Sequence, residues 1–204
     1  LIIVFTLHFI LSFVWGEGLS SGKGRIKDKW RLKTWCTVYA PSYFGDHEVG
    51  LIPLTDASKA IGRIIESTLY DLVKQDIFHA SIKIYFQIVN VQDGRAETVF
   101  KGHEYAREYL RSLVRRGGSR IDRIFDVTTR DGFRVRIYAV AFSKRRLSPS
   151  QETAVRKIME ETVAEGSKNL SYDQLAQEVV LGKLASDIYN HVTKISPLRH
   201  VGII

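Results

Sequence analysis

One cysteine, Cys36, and one methionine, Met159, stand among 204 residues, and each shortage removes a class of explanation. A lone thiol closes no disulfide within the chain, and the six histidines are scattered without cysteine neighbours at metal-ligand spacing. The composition implies a reducing compartment, no structural zinc, no other metal and no cofactor. Sparse Cys and Met beside abundant Glu, Lys and Arg also suit a heat-adapted source. Local catalytic signatures are missing as well: there is no HExxH pair, no Walker loop and no complete GxGxxG. The glycine-rich run over residues 16–24 lacks both the lysine placement and the preceding strand that a phosphate loop needs. Cys36, set in an apolar strand, reads as core rather than nucleophile. Asn169-Leu170-Ser171 matches a glycosylation sequon, but Ser171 is better explained as a helix cap. No catalytic residue is predicted, and the chain reads as no enzyme.

Acidic residues are the next shortage. Lys and Arg number 30 against 22 Asp and Glu, a formal net charge of +8, with a pI near 9.6, which favours a polyanionic partner. The excess is local. Residues 101–146 hold 13 Lys or Arg and 5 Asp or Glu, a surplus of eight that equals the surplus of the whole chain. A second basic run alternates with spacers: Lys23, Arg25, Lys27, Lys29, Arg31 and Lys33, with Asp28 its only acid. Such an arm repels itself unless phosphates supply counter-charge. Trp30 and Trp35 interleave with it, placed either to stack on a base or to anchor the arm to the core, the commoner fate.

Residues 1–15 are almost wholly apolar, broken only by Thr6, His8 and Ser12. As a helix they would span only about 22 Å of a hydrocarbon core of roughly 30 Å, and they lack the positive start of a secretory signal. They read as part of an extension over residues 1–24, upstream of the usual start, with no membrane role. If ordered, this leader must cover its apolar surface against a neighbour or RNA. Residues 25–204 read as one domain, β-rich over 33–144 and mainly helical over 148–196.

Period-two patterns predict strands over residues 35–40, 64–73, 82–89, 97–100, 124–129 and 133–142. Asp93-Gly94 and Asp131-Gly132 predict two-residue hairpin turns and so antiparallel pairing. In the last strand Phe133, Val135, Ile137 and Ala139 share the inner face, leaving Arg134, Arg136 and Tyr138 outside. A helix is expected over residues 104–116, closed by Gly117-Gly118, with Tyr105, Tyr109 and Leu113 as its core stripe and Arg107, Arg111 and Arg115 on another face. Ser148, Pro149 and Gln151 form a capping box that opens a further helix, Ser171 and Gln174 repeat the signal, and a last helix from Lys183 stops at Pro197 before an edge strand over 201–204. The fold class is α+β: an antiparallel, β-barrel-like core with flanking helices, the helical C-terminal part packed on the sheet.

Over residues 27–204 the order of short motifs resembles a ribosomal family of archaea and eukaryotes, the small-subunit S-three-A-e (e-S-one) proteins. Its carriers are Asp28-Lys29-Trp30 with Trp35, Ala40-Pro41 and Phe44, then Ile61-Gly62-Arg63, Glu66, Leu69 and Asp71-Leu72. Phe100-Lys101-Gly102-His103-Glu104 and Ser112-Leu113-Val114-Arg115-Arg116-Gly117 follow. Ile124-Phe125-Asp126-Val127 with Asp131-Gly132, Val140-Ala141-Phe142, Arg156-Lys157-Ile158-Met159, and Asp187-Ile188-Tyr189-Asn190 with Pro197-Leu198 complete the set. The lack of a long C-terminal extension resembles the archaeal form, while the apolar leader departs from the family.

The resemblance implies a structural protein of the small subunit, at work in translation in the cytoplasm. It implies a place on the subunit platform near the messenger exit and the three-prime end of the small-subunit RNA. The partners implied are that RNA, neighbouring ribosomal proteins and the messenger near its exit. The residues expected to bind RNA are Lys23, Arg25, Lys27, Lys29, Arg31, Lys33, Lys101, His103, Arg107, Arg111, Arg115, Arg116, Arg120, Arg134, Arg136, Lys144, Arg145 and Arg146. A free-standing RNA-binding or chaperone module would use the same cations, and a nucleic-acid-processing enzyme is disfavoured for want of a metal-binding carboxylate cluster.

Overall fold

The computed structural model describes residues 28, 30–74 and 76–204. The leader and Lys23, Arg25, Lys27 and Lys29 of the basic arm lie outside the described residues. Two compact units are distinguished, Leu1–Lys33 and Thr34–Ile204. In the described part of the first, Asp28 accepts the Trp30 amide at 3.0 Å, and the Lys33 ammonium sits 3.6 Å from the centre of the exposed Trp30 ring.

The second unit holds two sheets. Strands β1 (Thr34–Tyr39), β2 (Glu48–Leu54), β3 (Ile64–Thr68), β4 (Ile82–Gln92) and β5 (Arg95–Tyr105) form one, in the order β2-β1-β5-β4-β3. Strands β6 (Arg120–Thr128), β7 (Arg134–Ser143) and β8 (Leu198–Ile203) form the other, in sequence order. All pairings are antiparallel except that of β1 with β5. That parallel contact is invisible to turn chemistry, which reports only on strands adjacent in the chain. The α+β class with flanking helices holds, and neither sheet closes on itself.

The two predicted turns separate. Gln92 pairs with Arg95 across Asp93 and Gly94, both at positive φ (47° and 79°), as a two-residue turn of twisted strands requires. By contrast Thr128 pairs with Arg134, so the second connection has five residues, and only Gly132 among them has positive φ. Thr129 closes it, its amide donating to the Phe133 carbonyl at 2.9 Å. Phe133 is consequently exposed instead of facing inward, its ring resting 5.5 Å from that of Tyr172. Trp35 is also exposed, on the opposite side of β1 from buried Cys36 and Val38, so it does not anchor into the core.

The predicted strand over 64–73 breaks after Thr68. A capping box between Thr68 and Asp71 starts helix α1 (Leu69–Val73), and Leu69 and Leu72 turn into the core. The helix expected over 104–116 is shorter. Glu104 and Tyr105 complete β5 by pairing with Lys83 and Ile82, leaving α2 as Arg107–Leu113. Cross-strand bonding has captured residues whose helical periodicity was equally good. The C-terminal helices start as expected: α3 (Pro149–Asn169) from Ser148, and α4 (Tyr172–Val180) from Ser171, which confirms Ser171 as a cap. Helix α5 (Lys183–Thr193) follows, and β8 returns to pair with β7. Val155, Met159 and Val163 of α3 and Leu184, Ile188 and Val192 of α5 pack on the inner face of β6, β7 and β8. Cys36 is buried among Val38, Ile88 and Ala96, where desolvation raises its thiol pKa, the setting of a packing residue.

Candidate nucleic-acid interface

The basic residues of the second unit sort by whether an acid meets them. Around the β6–β7 hairpin the cations are paired. Arg134 donates to Asp126 at 2.7 Å and Arg136 at 2.9 Å. The Arg136 guanidinium first, and that of Arg134 beside it, hold the Asp126 carboxyl down to about 2. Arg120 is answered too, although it opens β6 at the end away from the hairpin turn: it is hydrogen bonded to the Tyr138 hydroxyl, which in turn donates to Asp122 at 3.2 Å. Arg123 meets Glu160 at 2.5 Å. Lys101 has no acidic partner among the described residues, and it lies on β5 beside an apolar cleft.

His103 is not available to a phosphate. Its ring is buried, Nε2 lies 2.8 Å from the Ile203 carbonyl, and desolvation lowers its pKa. The sequence placed it correctly beside Lys101 but did not reveal that β8 closes over it.

The opposite end of the same sheet is built differently. Arg107 and Arg111 project from α2, Arg115 and Arg116 from the loop after it, and Lys144, Arg145 and Arg146 from the loop after β7, all exposed. These seven side chains make no ion pair among the described residues. No acid occurs in residues 109–121 or 143–151.

The two loops are tied together through their backbones. The Ser143 amide donates to the Ser119 carbonyl at 2.9 Å, the Ser119 amide to Ser143 Oγ at 2.8 Å, and the Leu147 amide to Ser119 Oγ at 3.1 Å. Gly118 permits this approach, since a Cβ there would lie 2.6 Å from the Ser143 carbonyl oxygen. Lys144 donates its amide to the Pro197 carbonyl at 3.0 Å, which brings the start of β8 alongside. Arg199 of β8, two residues on from that contact, is exposed and without an ion pair among the described residues, and sequence reading missed it. Nothing local in its sequence announces that β8 returns to the end of β7.

Aromatic packing seats α2. Tyr109 stacks on Tyr105 at 5.7 Å and meets the His200 ring edge-on at 5.5 Å. Burial pushes the Tyr105 hydroxyl up to about 12 and the His200 imidazole below its ordinary value, so both are neutral at pH 7 and add no charge to the surface. The result is a group of cations backed by packed aromatics, with Glu108 of α2 as the acid within its own elements and no ion pair among the described residues. Self-repulsion is a cost the fold bears here, and a fixed polyanion relieves it.

Residues 21–204 match the model of the Ribosomal S3Ae family. The chain belongs to that family. Small ribosomal subunit protein eS1 of Saccharolobus islandicus is 43% identical over 185 residues, 91% of this chain and 88% of that protein. The protein of the same name from Saccharolobus solfataricus is 44% identical over the same shares. That of Staphylothermus marinus is 44% identical over 181 residues, 89% and 85% of the two chains. As an S3Ae protein the chain is a structural ribosomal component and not an enzyme. Its described helices include none long and apolar enough to cross a membrane.

Proposed function

We propose that this chain is built into the small ribosomal subunit and holds small-subunit RNA through the loop end of its three-stranded sheet. The platform near the messenger exit is its proposed place, with neighbouring ribosomal proteins and the messenger within reach. One observation carries the reading: seven exposed cations on two clamped loops and a short helix, none of them in an ion pair among the described residues. A surface meant only for solubility mixes both signs, as the hairpin end does. Arg31 and Lys33, in the first unit, extend the proposed RNA-binding set, as do Lys23, Arg25, Lys27 and Lys29.

Cosedimentation tests the reading. The chain should be recovered with small subunits at near one-to-one stoichiometry and should protect small-subunit RNA from chemical probes. Recovery in the soluble fraction alone would point to a free-standing RNA module. Binding of the isolated chain to RNA should weaken with salt at a log-log slope of about −5 to −6 for seven phosphate contacts, and a flat dependence would sink it.

A further inference from the structure

Between β5, the β6–β7 pair and α4 lies a half-open cleft of about 340 Å³ that the RNA reading does not use. Phe100, Ile124, Ile137, Tyr138, Tyr172 and Leu175 are prominent in its wall. Its polar groups are largely engaged elsewhere: the Tyr172 hydroxyl donates to the Phe100 carbonyl at 2.7 Å, and His103 Nε2 faces the Ile203 carbonyl. A nucleobase placed here would leave its hydrogen-bonding edge unmet, which disfavours RNA. The charged residues of the lining are Lys101 and Arg136, both exposed, and no Asp or Glu joins them. Arg136 is already committed to Asp126, whereas Lys101 has no ion pair among the described residues. The volume falls at the small end of the range of about 300–1,000 Å³ for ligand sites, room for large side chains and not for a folded element.

The geometry points to a docking site for another protein chain, which inserts a leucine-sized or aromatic side chain into the cleft and sets an adjacent carboxylate on Lys101. The apolar wall selects the anchor, and the cation at the rim selects the acid beside it. The partner is a protein segment of acidic-apolar character, whether or not the loop end binds RNA.

The test uses the full chain with labelled methyl groups and two acetylated tetrapeptide amides, Glu-Leu-Phe-Glu and Lys-Leu-Phe-Lys. The acidic peptide should shift the methyls of Ile137, Leu175 and Val179 saturably and bind about tenfold more tightly than the basic one. Lys101→Glu should reverse that preference, and Val179→Trp should fill the cleft and abolish the shifts. Lys101 is exposed, so its variant decides the matter even if Val179→Trp fails to fold. No shift at millimolar peptide, or equal affinity for both peptides, overturns the proposal. So does tighter binding of decanoate or of a short oligouridylate at the same methyls. Subunit incorporation, measured separately on Lys101→Glu and on loop-end variants, distinguishes failure here from failure of the RNA reading.

Discussion

Arg134 and Arg136 close on one carboxylate at the hairpin end of β6 and β7, whereas Arg115, Arg116 and residues 144–146, at the far end of the same two strands, meet none. In sequence the two groups look alike, as arginines scattered through one basic stretch. What separates them is register. Asp126 pairs with Arg136 across the strands and lies diagonal to Arg134, the geometry in which opposite charges attract directly. The loop-end cations stand where strand pairing has stopped, and the Ser119–Ser143 clamp gathers them with no acid in either loop. Positive charge alone is therefore a poor guide; the proposed RNA surface rests on positive charge that the fold leaves unanswered.

The comparison breaks most visibly if the loop end is reversed. Changing Arg115, Arg116, Lys144 and Arg145 together to Glu should lower RNA affinity at physiological salt at least about a hundredfold and reduce the salt slope by about 3 to 4. Circular dichroism and thermal midpoint should stay unchanged, since none of these side chains is buried. Unaltered incorporation into subunits would remove this surface from the account.

A smaller effect is expected from the clamp. Gly118→Ala forces a Cβ against the Ser143 carbonyl and should destabilise the fold by about 1–3 kcal/mol, read by denaturant titration. RNA binding should weaken with it as the two loops separate. A stable variant with full affinity would show that the loops act independently.

Asp126→Asn tests the other side of the contrast. Freed of their acid, Arg134 and Arg136 become available, and non-specific RNA affinity should rise by about severalfold. The same carboxyl should contribute to a pH dependence. Its folded pKa of about 2 is depressed, so its stabilising effect is present above the unfolded value of about 3.9 and is lost as pH falls through that window toward 2. Thermal melts should show a shallower acid decline in Asp126→Asn, and identical declines would mean the pairing does not contribute.

The smallest effect concerns His103. Burial depresses its pKa, so the folded protein holds it neutral. Stability should be fully present above about pH 6.5 and decline as the unfolded chain takes up the proton below it. His103→Gln should flatten melts between pH 7 and 5, and an unchanged slope would assign the decline to another group, His200 first.

Local chemistry was legible wherever the signal and its partner lay within a few residues. Ser148 with Gln151, Ser171 with Gln174, and Asp93 with Gly94 each form the cap or turn their spacing dictates. The short-range motifs also carried the family resemblance, because they persist as strings whatever they touch. Where two local readings competed, the sequence was silent. Residues 104 and 105 fit a helix stripe, and residues 69–73 fit a strand; distant pairing with β4 decided the first, and the Thr68 cap with burial of Leu69 and Leu72 decided the second.

Amino-acid order by itself determined the excess of cations, its concentration between residues 101 and 146, and the capped helices that follow. Only tertiary structure decided which cations stay unpaired, that His103 is sealed beneath β8, and that the start of β8 comes alongside Lys144. The physical reason is one of range: capping and turn formation act over a few bonds, whereas neutralisation and burial depend on which elements meet, and that is settled by contacts a hundred residues and more apart.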